Sequence, residues 1–239
     1  MDSESIERVY STFSGVYDLV FGRWFRQPRA EAIELLNIRG GEKVLEVGVG
    51  TGLSLSYYPR NCSVVGIDFC EPMLEKAKRR LRQYPLPHIQ LLKMDAMKMS
   101  WPDNSFDAVF AAYVISAVPD PDQVISEMIR VCKVGGKIVL LNHFQNGNRF
   151  ISSCEKVISP FTKKIGFRAD LDLGMLLTGK PLIVEKKQNM KPFNYWKAVQ
   201  CTNQKVVHGN GNGNGNGNGN GAHHKELLRF EELNGSKGQ

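Results

Sequence analysis

Val44–Gly52, VLEVGVGTG, runs from an apolar segment straight into a glycine-rich loop, and the fold turns on how it is read. Val44, Leu45 and Val47 have the composition of a parallel strand covered on both faces. Gly48, Gly50 and Gly52 follow with one residue between each pair. Glycine at such positions admits positive φ and lets a ligand approach the backbone. The pattern is not GxxxxGK[ST], so it does not indicate a phosphate-cradling P-loop. It comes closer to the dinucleotide pattern GxGxxG, but the third glycine arrives one residue early. Glu46 also stands inside the strand end, where a pyrophosphate would meet negative charge. The loop suits a ligand that brings positive charge to it.

The second half of the constellation is another apolar run, Val64–Ile67, ending in Asp68 twenty residues after Gly48. In open α/β sheets an acid at the tip of the second strand accepts the two hydroxyls of a ribose. A glycine turn that merely packs has no need of an acid before it and another after the next strand.

ExGxGTG at Glu46–Gly52, then Asp68, then Asp95–Ala96, then a fourth strand from Phe106 resemble the class I S-adenosylmethionine-dependent methyltransferases. The resemblance covers roughly residues 6–200. It implies an α/β fold: a Rossmann-like, seven-stranded, mostly parallel sheet with helices on both faces and one antiparallel edge strand. S-adenosyl-L-methionine is the implied cofactor, with Glu46, Gly48, Gly50, Thr51 and Gly52 along its methionine portion. Asp68 would meet the ribose hydroxyls, and Asp95 and Ala96 would lie beside adenine. A cationic sulfonium accounts for a loop that carries an acid and no base.

The length of 239 residues suits one α/β domain with a tail, and 42% hydrophobic content can fill a large core. Cys62, Cys70, Cys132, Cys154 and Cys201 are scattered, with no CxxC or histidine spacing. They read as reduced thiols, not as a disulfide framework or a zinc site. No clustered metal-ligand set stands out. There is no uninterrupted apolar window of spanning length and no signal-peptide pattern, so a cytoplasmic chain, at most peripherally attached to the inner leaflet of the cell membrane, is expected. The net charge is +7. From Val206 onward Lys225, Arg229 and Lys237 balance Glu226, Glu231 and Glu232, so the excess sits on the folded part. A basic face attracts anionic lipid or nucleic acid. Nucleic acid is the less favoured partner, because Ala112-Tyr-Val-Ile115 stands where an NPPY-like tetrapeptide would follow strand four. Oligomeric state is not legible.

Three regions follow. Residues 1–30 form an amphipathic lid or membrane-contact helix, with Ile6, Val9, Tyr10, Phe13, Val16, Tyr17, Val20 and Phe21 on one stripe. Phe21–Arg29 interleaves aromatics with arginines, which suits a membrane interface. Residues 31–205 hold the methyltransferase domain, and 206–239 a Gly-Asn linker and tail with little to bury. Within the domain, helices are expected at 29–37, 53–58, 71–83, 122–132, 148–159 and 171–177. Strands are expected at 88–94, 106–112, 138–141, 182–187 and 193–200, with Val134–Lys137 a turn. The 71–83 helix is basic along one side. Tyr113–Val118 and Asn142–Phe144 end their strands at the sheet's carboxyl edge, facing the pocket.

Methyl transfer from a sulfonium is an in-line displacement that needs alignment in a dry site more than it needs a metal. An amine acceptor must shed a proton, and Tyr10, Tyr17, Tyr113 and His143 are the polar groups placed to receive or relay it. Tyrosine faces also stabilise a developing quaternary ammonium. Tyr17-Asp-Leu-Val-Phe-Gly22, Leu141-Asn-His-Phe144 and Gly166-Phe-Arg168 with the leucine-rich 170–177 resemble the soluble bacterial phosphatidylethanolamine N-methyltransferases. That family makes phosphatidylcholine by successive methylations at a bilayer surface. The resemblance implies that surface as partner, and Tyr17 in contact with cofactor or headgroup. The ubiquinone and menaquinone C-methyltransferases share the YD opening and the glycine loop, and are the alternative.

Overall fold

The computed structural model describes residues 26–144, 171–191 and 196–206. Residues 1–25 of the expected lid helix, with Tyr10 and Tyr17, the helix at 148–159 and the Gly-Asn tract lie outside the described residues. All the described residues belong to one compact unit that ends at Val206.

Seven strands form one sheet: β1 Lys43–Val47, β2 Ser63–Asp68, β3 Ile89–Lys93, β4 Phe106–Ala112, β5 Cys132–Asn142, β6 Leu182–Met190 and β7 Trp196–Asn203. Their order is β3-β2-β1-β4-β5-β7-β6. Neighbours from β3 through β5 pair in parallel, whereas β7 runs antiparallel to both β5 and β6. The reversed strand is therefore one place in from the edge, and β6 completes the sheet. Strand order turns around between β1 and β4, and such a switch point opens a crevice at the carboxyl ends of the strands.

Helices α1 (Arg26–Glu34), α2 (Glu71–Gln83), α3 (Pro121–Val131) and α4 (Leu173–Leu177) accompany the sheet. Side chains alternate across a strand, and the two faces collect separate cores. Leu45, Val47, Val109, Ile138 and Leu140 pack with Val124, Ile125 and Met128 of α3. Val44, Ala108, Phe110, Val139 and Leu141 pack with Ala32 and Ile33 of α1, and with Leu36 beyond it. The carboxylate of Asp120 caps α3, accepting from the Gln123 N–H at 3.0 Å. The other end of α3 is fastened from far along the chain. Asn203 Nδ2 donates to the carbonyls of Ile129 and Cys132, each at 2.9 Å. Lys205 Nζ donates to Ile129 O at 2.8 Å and also to Arg130 O.

Three expected elements differ most. The helix at 53–58 is a single 3-10 turn, Leu55–Tyr57, and Tyr58 is already extended (φ −71°, ψ 136°). Pro59 accounts for this, because a residue before proline is driven out of the helical region. Strand five begins at Cys132, not at Ile138. The expected turn at Val134–Lys137 is an irregularity within the strand, where pairing with β4 jumps from Phe106↔Cys132 to Ala108↔Lys137. Strand six also continues past Lys187 to Met190. Among the described residues no helix is long and apolar enough to cross a membrane, and no group of three or more His, Cys, Asp or Glu side chains could hold a metal ion.

Candidate active site

The cavity opens where the switch point predicts, over the carboxyl ends of β1, β2 and β4. Its floor is the glycine loop. Gly48 has φ +69°, and a Cβ there would lie 2.5 Å from Val114 Cγ2. Gly50 has φ +56°, yet a Cβ there would meet nothing within 4 Å. Gly48 is thus closed against the protein, while Gly50 borders ligand space. The loop is tied to α2 by a hydrogen bond from Arg80 Nε to Thr51 O at 3.2 Å.

Asp68, at the tip of β2, accepts from two backbone N–H groups: Gly50 N at 2.7 Å and Cys70 N at 2.9 Å. Burial raises its pKa, and these two donors work against that rise. Each carboxylate oxygen keeps lone pairs for a further donor. Glu46 lies at the other end, on the same face of β1 as Val44 and only 2% exposed. Its Oε1 accepts from Ser54 Oγ. Tyr58 lies close enough to act on it electrostatically, but neither Tyr58 Oη nor Glu46 Oε2 meets a partner with hydrogen-bond geometry. Burial pushes the Glu46 carboxyl up to about 7, opposed by the Ser54 hydroxyl, the Tyr58 hydroxyl and the Arg29 charge. A buried acid with one oxygen left over fits a ligand that carries a positive charge. It does not fit a phosphate.

Asp95 Oδ1 accepts from Met97 N at 2.8 Å, and Ala96, Met97 and Phe69 also line the cavity. Tyr113 stands on the inner wall with φ +63°. A non-glycine residue held in the left-handed region is strained and marks positions that the surrounding fold over-determines. Its N–H donates to Leu141 O at 2.7 Å. The Arg29 guanidinium lies 4.8 Å from the centroid of its ring, and Trp196 meets the ring edge-on at 4.8 Å.

A protein-family model described as a methyltransferase domain matches residues 45–140. The chain is 37% identical over 193 residues to a protein of Cereibacter sphaeroides named phosphatidylethanolamine N-methyltransferase, covering 80% of this chain and 94% of that one. The chain belongs to the class I S-adenosylmethionine-dependent methyltransferases. A demethylmenaquinone methyltransferase of Staphylococcus saprophyticus is 32% identical over 170 residues, 68% of this methyltransferase and 72% of its own length. Among solved structures, a SAM dependent methyltransferase from Aquifex aeolicus superposes with a TM-score of 0.62 at 19% identity, covering 80% of this chain and 97% of that one. That similarity reflects the fold.

The methyltransferase cavity brings together Glu46, Gly48, Gly50, Thr51, Asp68, Asp95, Ala96 and Tyr113 from the sequence reading. Gly52 lies just behind, where a Cβ would come within 2.8 Å of Leu55 Cδ1 and 3.1 Å of Ala77 Cβ. Tyr17 lies outside the described residues. His143 is a correction: it was expected to face the pocket with Asn142 and Phe144, but all three are fully buried and none lines the cavity. The His143 ring meets Trp196 edge-on at 6.0 Å, one aromatic removed from Tyr113. The Asn142 side chain accepts from Ser116 Oγ at 3.2 Å, and Phe144 joins the core. Arg29 ends the stretch read as either a pocket-capping lid or a membrane contact, and it is only 6% exposed and lines the cavity. The sequence held a signal for this, because Arg29, Ala32, Ile33 and Leu36 share the spacing of one buried helical face. Ser54 and Tyr58, which surround Glu46, carried none.

Proposed function

We propose that this methyltransferase transfers methyl groups to the amine of phosphatidylethanolamine and its mono- and dimethyl forms at a membrane surface. The observation that carries the reading is the Cereibacter sphaeroides relative, aligned at 37% identity over 94% of its length. The demethylmenaquinone relatives align at lower identity over a smaller share of the chain. The excess of basic residues, +7 overall, supports contact with anionic lipid. A cytoplasmic protein held at the inner leaflet fits this reading.

The cofactor supplies a methyl group on a cationic sulfur, open to in-line displacement by a nitrogen lone pair. In this reading Glu46 takes the amino group of the methionine portion with its spare oxygen. Gly48, Gly50 and Thr51 form the surface along that portion, with Gly52 packed behind them. Asp68 takes the ribose hydroxyls with the lone pairs left by Gly50 and Cys70. Asp95 shapes the turn that lets Ala96, Met97 and Phe69 enclose adenine. Tyr113, on the inner wall, offers its hydroxyl oxygen to accept a hydrogen bond from the acceptor's N–H and so align the nitrogen. The ammonium proton is lost to water before the lone pair attacks. Tyr17 is carried as a further contact to cofactor or headgroup. His143 supports Tyr113 through Trp196 and has no direct part.

The test is incubation with methyl-labelled cofactor and vesicles that contain phosphatidylethanolamine, an anionic lipid and demethylmenaquinone. Label is expected in the mono-, di- and trimethylated phospholipids after thin-layer separation, and the protein is expected to sediment with the vesicles. Label on the quinone instead selects the second reading, which the 32% relatives favour. Cofactor binding with no label in any lipid rejects both.

A further inference from the structure

The side of α2 that reads as basic in the sequence has no part in the chemistry above. The helix turns Met73, Leu74 and Ala77 into the core. It carries five bases, Lys76, Lys78, Arg79, Arg80 and Arg82, against two acids, Glu71 and Glu75. Both acids are held by Lys78 Nζ, at 3.1 and 2.9 Å, and Arg80 is turned inward to Thr51 O. Lys76, Arg79 and Arg82 remain, three residues apart along the outer side, with Arg79 and Arg82 exposed. Arg79 and Arg82 act electrostatically on Glu75, but among the described residues none of the three makes a hydrogen bond or an ion pair. Cations in a last turn complement the helix dipole, which accounts for Arg82 and not for Lys76 or Arg79.

Tyr84 follows at the C-cap, 64% exposed, and is the one aromatic among the exposed large hydrophobic residues of the described chain. A solitary ring with a hydroxyl at its polar end suits the headgroup layer of a bilayer. A strand of nucleic acid would call for several rings on which successive bases stack. The other end of α2 is at the site: Cys70 stands at its N-cap, and Cys70 and Met73 line the cavity. The helix is about 20 Å long, so the basic face starts near the cavity and runs from it along the sheet edge formed by β2 and β3.

We propose that Lys76, Arg79, Arg82 and Tyr84 form the face that docks this methyltransferase on anionic phospholipid, with the cations on headgroup phosphates and the Tyr84 ring at their level. This rests on the reading above, in which the acceptor lies in a bilayer. Guanidinium forks pair with phosphate oxygens, and each charge gains from the negative surface potential of the leaflet. The contact lays α2 along the membrane and keeps its cavity end at the interface from which the acceptor comes.

Sedimentation of the full chain with vesicles of phosphatidylethanolamine and phosphatidylglycerol tests this. Arg79→Gln combined with Arg82→Gln is expected to lower partitioning about twentyfold, or about fivefold for each charge. Arg79→Lys combined with Arg82→Lys should keep most of the binding. The control is Lys186→Gln combined with Lys187→Gln, which removes the same charge from β6 at the opposite edge of the sheet. Screening should hold its effect below about twofold. The loss in Tyr84→Ala should persist at about 1 M salt, where the charge contribution is screened. Unchanged S-adenosylhomocysteine affinity in calorimetry shows that each variant is folded. Equal losses from the two glutamine pairs overturn the proposal and make binding a matter of net charge. Undiminished vesicle binding overturns it and, with phosphatidylethanolamine still labelled, leaves the acceptor reading standing. Loss of oligonucleotide binding alone also overturns it and gives the face to nucleic acid. A wild-type chain that labels demethylmenaquinone and not phosphatidylethanolamine, yet leaves the vesicles when Arg79 and Arg82 are neutralised, ends the acceptor reading and upholds this face.

Discussion

The two acids that bracket the cavity are built on opposite principles. Asp68 is held by the backbone, with an N–H from Gly50 and another from Cys70 on its two oxygens. Glu46 is held by side chains, with a hydroxyl on one oxygen and nothing of hydrogen-bond geometry on the other. Asp68 is thus part of the scaffold whether or not a ligand is present. Glu46 is a buried group whose ionised form is compensated only in part, by the Ser54 and Tyr58 hydroxyls and the Arg29 charge. One end of the site is preorganised by backbone donors. The other holds a local instability that the ligand relieves.

The strongest way to break this contrast is Asp68→Ala, which strands two backbone donors. Stability should drop by about 2–4 kcal/mol in chemical denaturation, and cofactor affinity by about a hundredfold or more in calorimetry. Next in size is a comparison of two glycines in the loop between the acids. Gly48→Ala drives a Cβ into Val114 and should lower stability by about 1–3 kcal/mol. Gly50→Ala meets no such contact, so its stability loss should stay near the roughly 1 kcal/mol of left-handed strain. Its added methyl stands in ligand space and should show chiefly as weaker cofactor binding.

Glu46→Gln should act with the opposite sign on the fold. The folded-state pKa of about 7 lies above the ordinary 4.5, so the native state holds a proton that the unfolded chain releases between those values. Stability from this group is greatest below pH 4.5 and declines as pH rises through about 7. At about pH 8 the glutamine variant, free of that decline, should be more stable than wild type by about 1–3 kcal/mol while binding cofactor less tightly. The smallest effect is in the wild-type binding profile. Cofactor affinity should rise by up to about tenfold between about pH 6 and 8, as the Glu46 carboxylate becomes available. The same profile should be flat in Glu46→Gln, and a slope that survives there would assign the titration elsewhere.

What the sequence disclosed follows from how local each feature is. The strand-loop pair at Val44–Gly52 and the acids Asp68 and Asp95 are set by neighbouring residues, and their meeting at one cavity is legible in the sequence. Ser54 and Tyr58 reach Glu46 only because the chain turns back through a 3-10 segment cut short by Pro59, and no pattern in the sequence encodes that. Tyr113 was singled out by its place after β4. Its left-handed backbone was hidden, because no glycine marks it. Two glycines misled at strand five: Gly135 and Gly136 read as a turn, whereas the strand carries them within an irregular register. His143 was misplaced for a related reason. It lies just past the end of β5, where alternation no longer says which way a side chain points.

The fastening of α3 by Asn203 and Lys205 sets how short this protein can be made. Carbonyls at the close of that helix are satisfied by side chains more than seventy positions downstream, so its last turn stays unfastened until β7 has been added and its end has docked. A truncation series should lose a little stability on passing Lys205 and its folded core on passing Asn203.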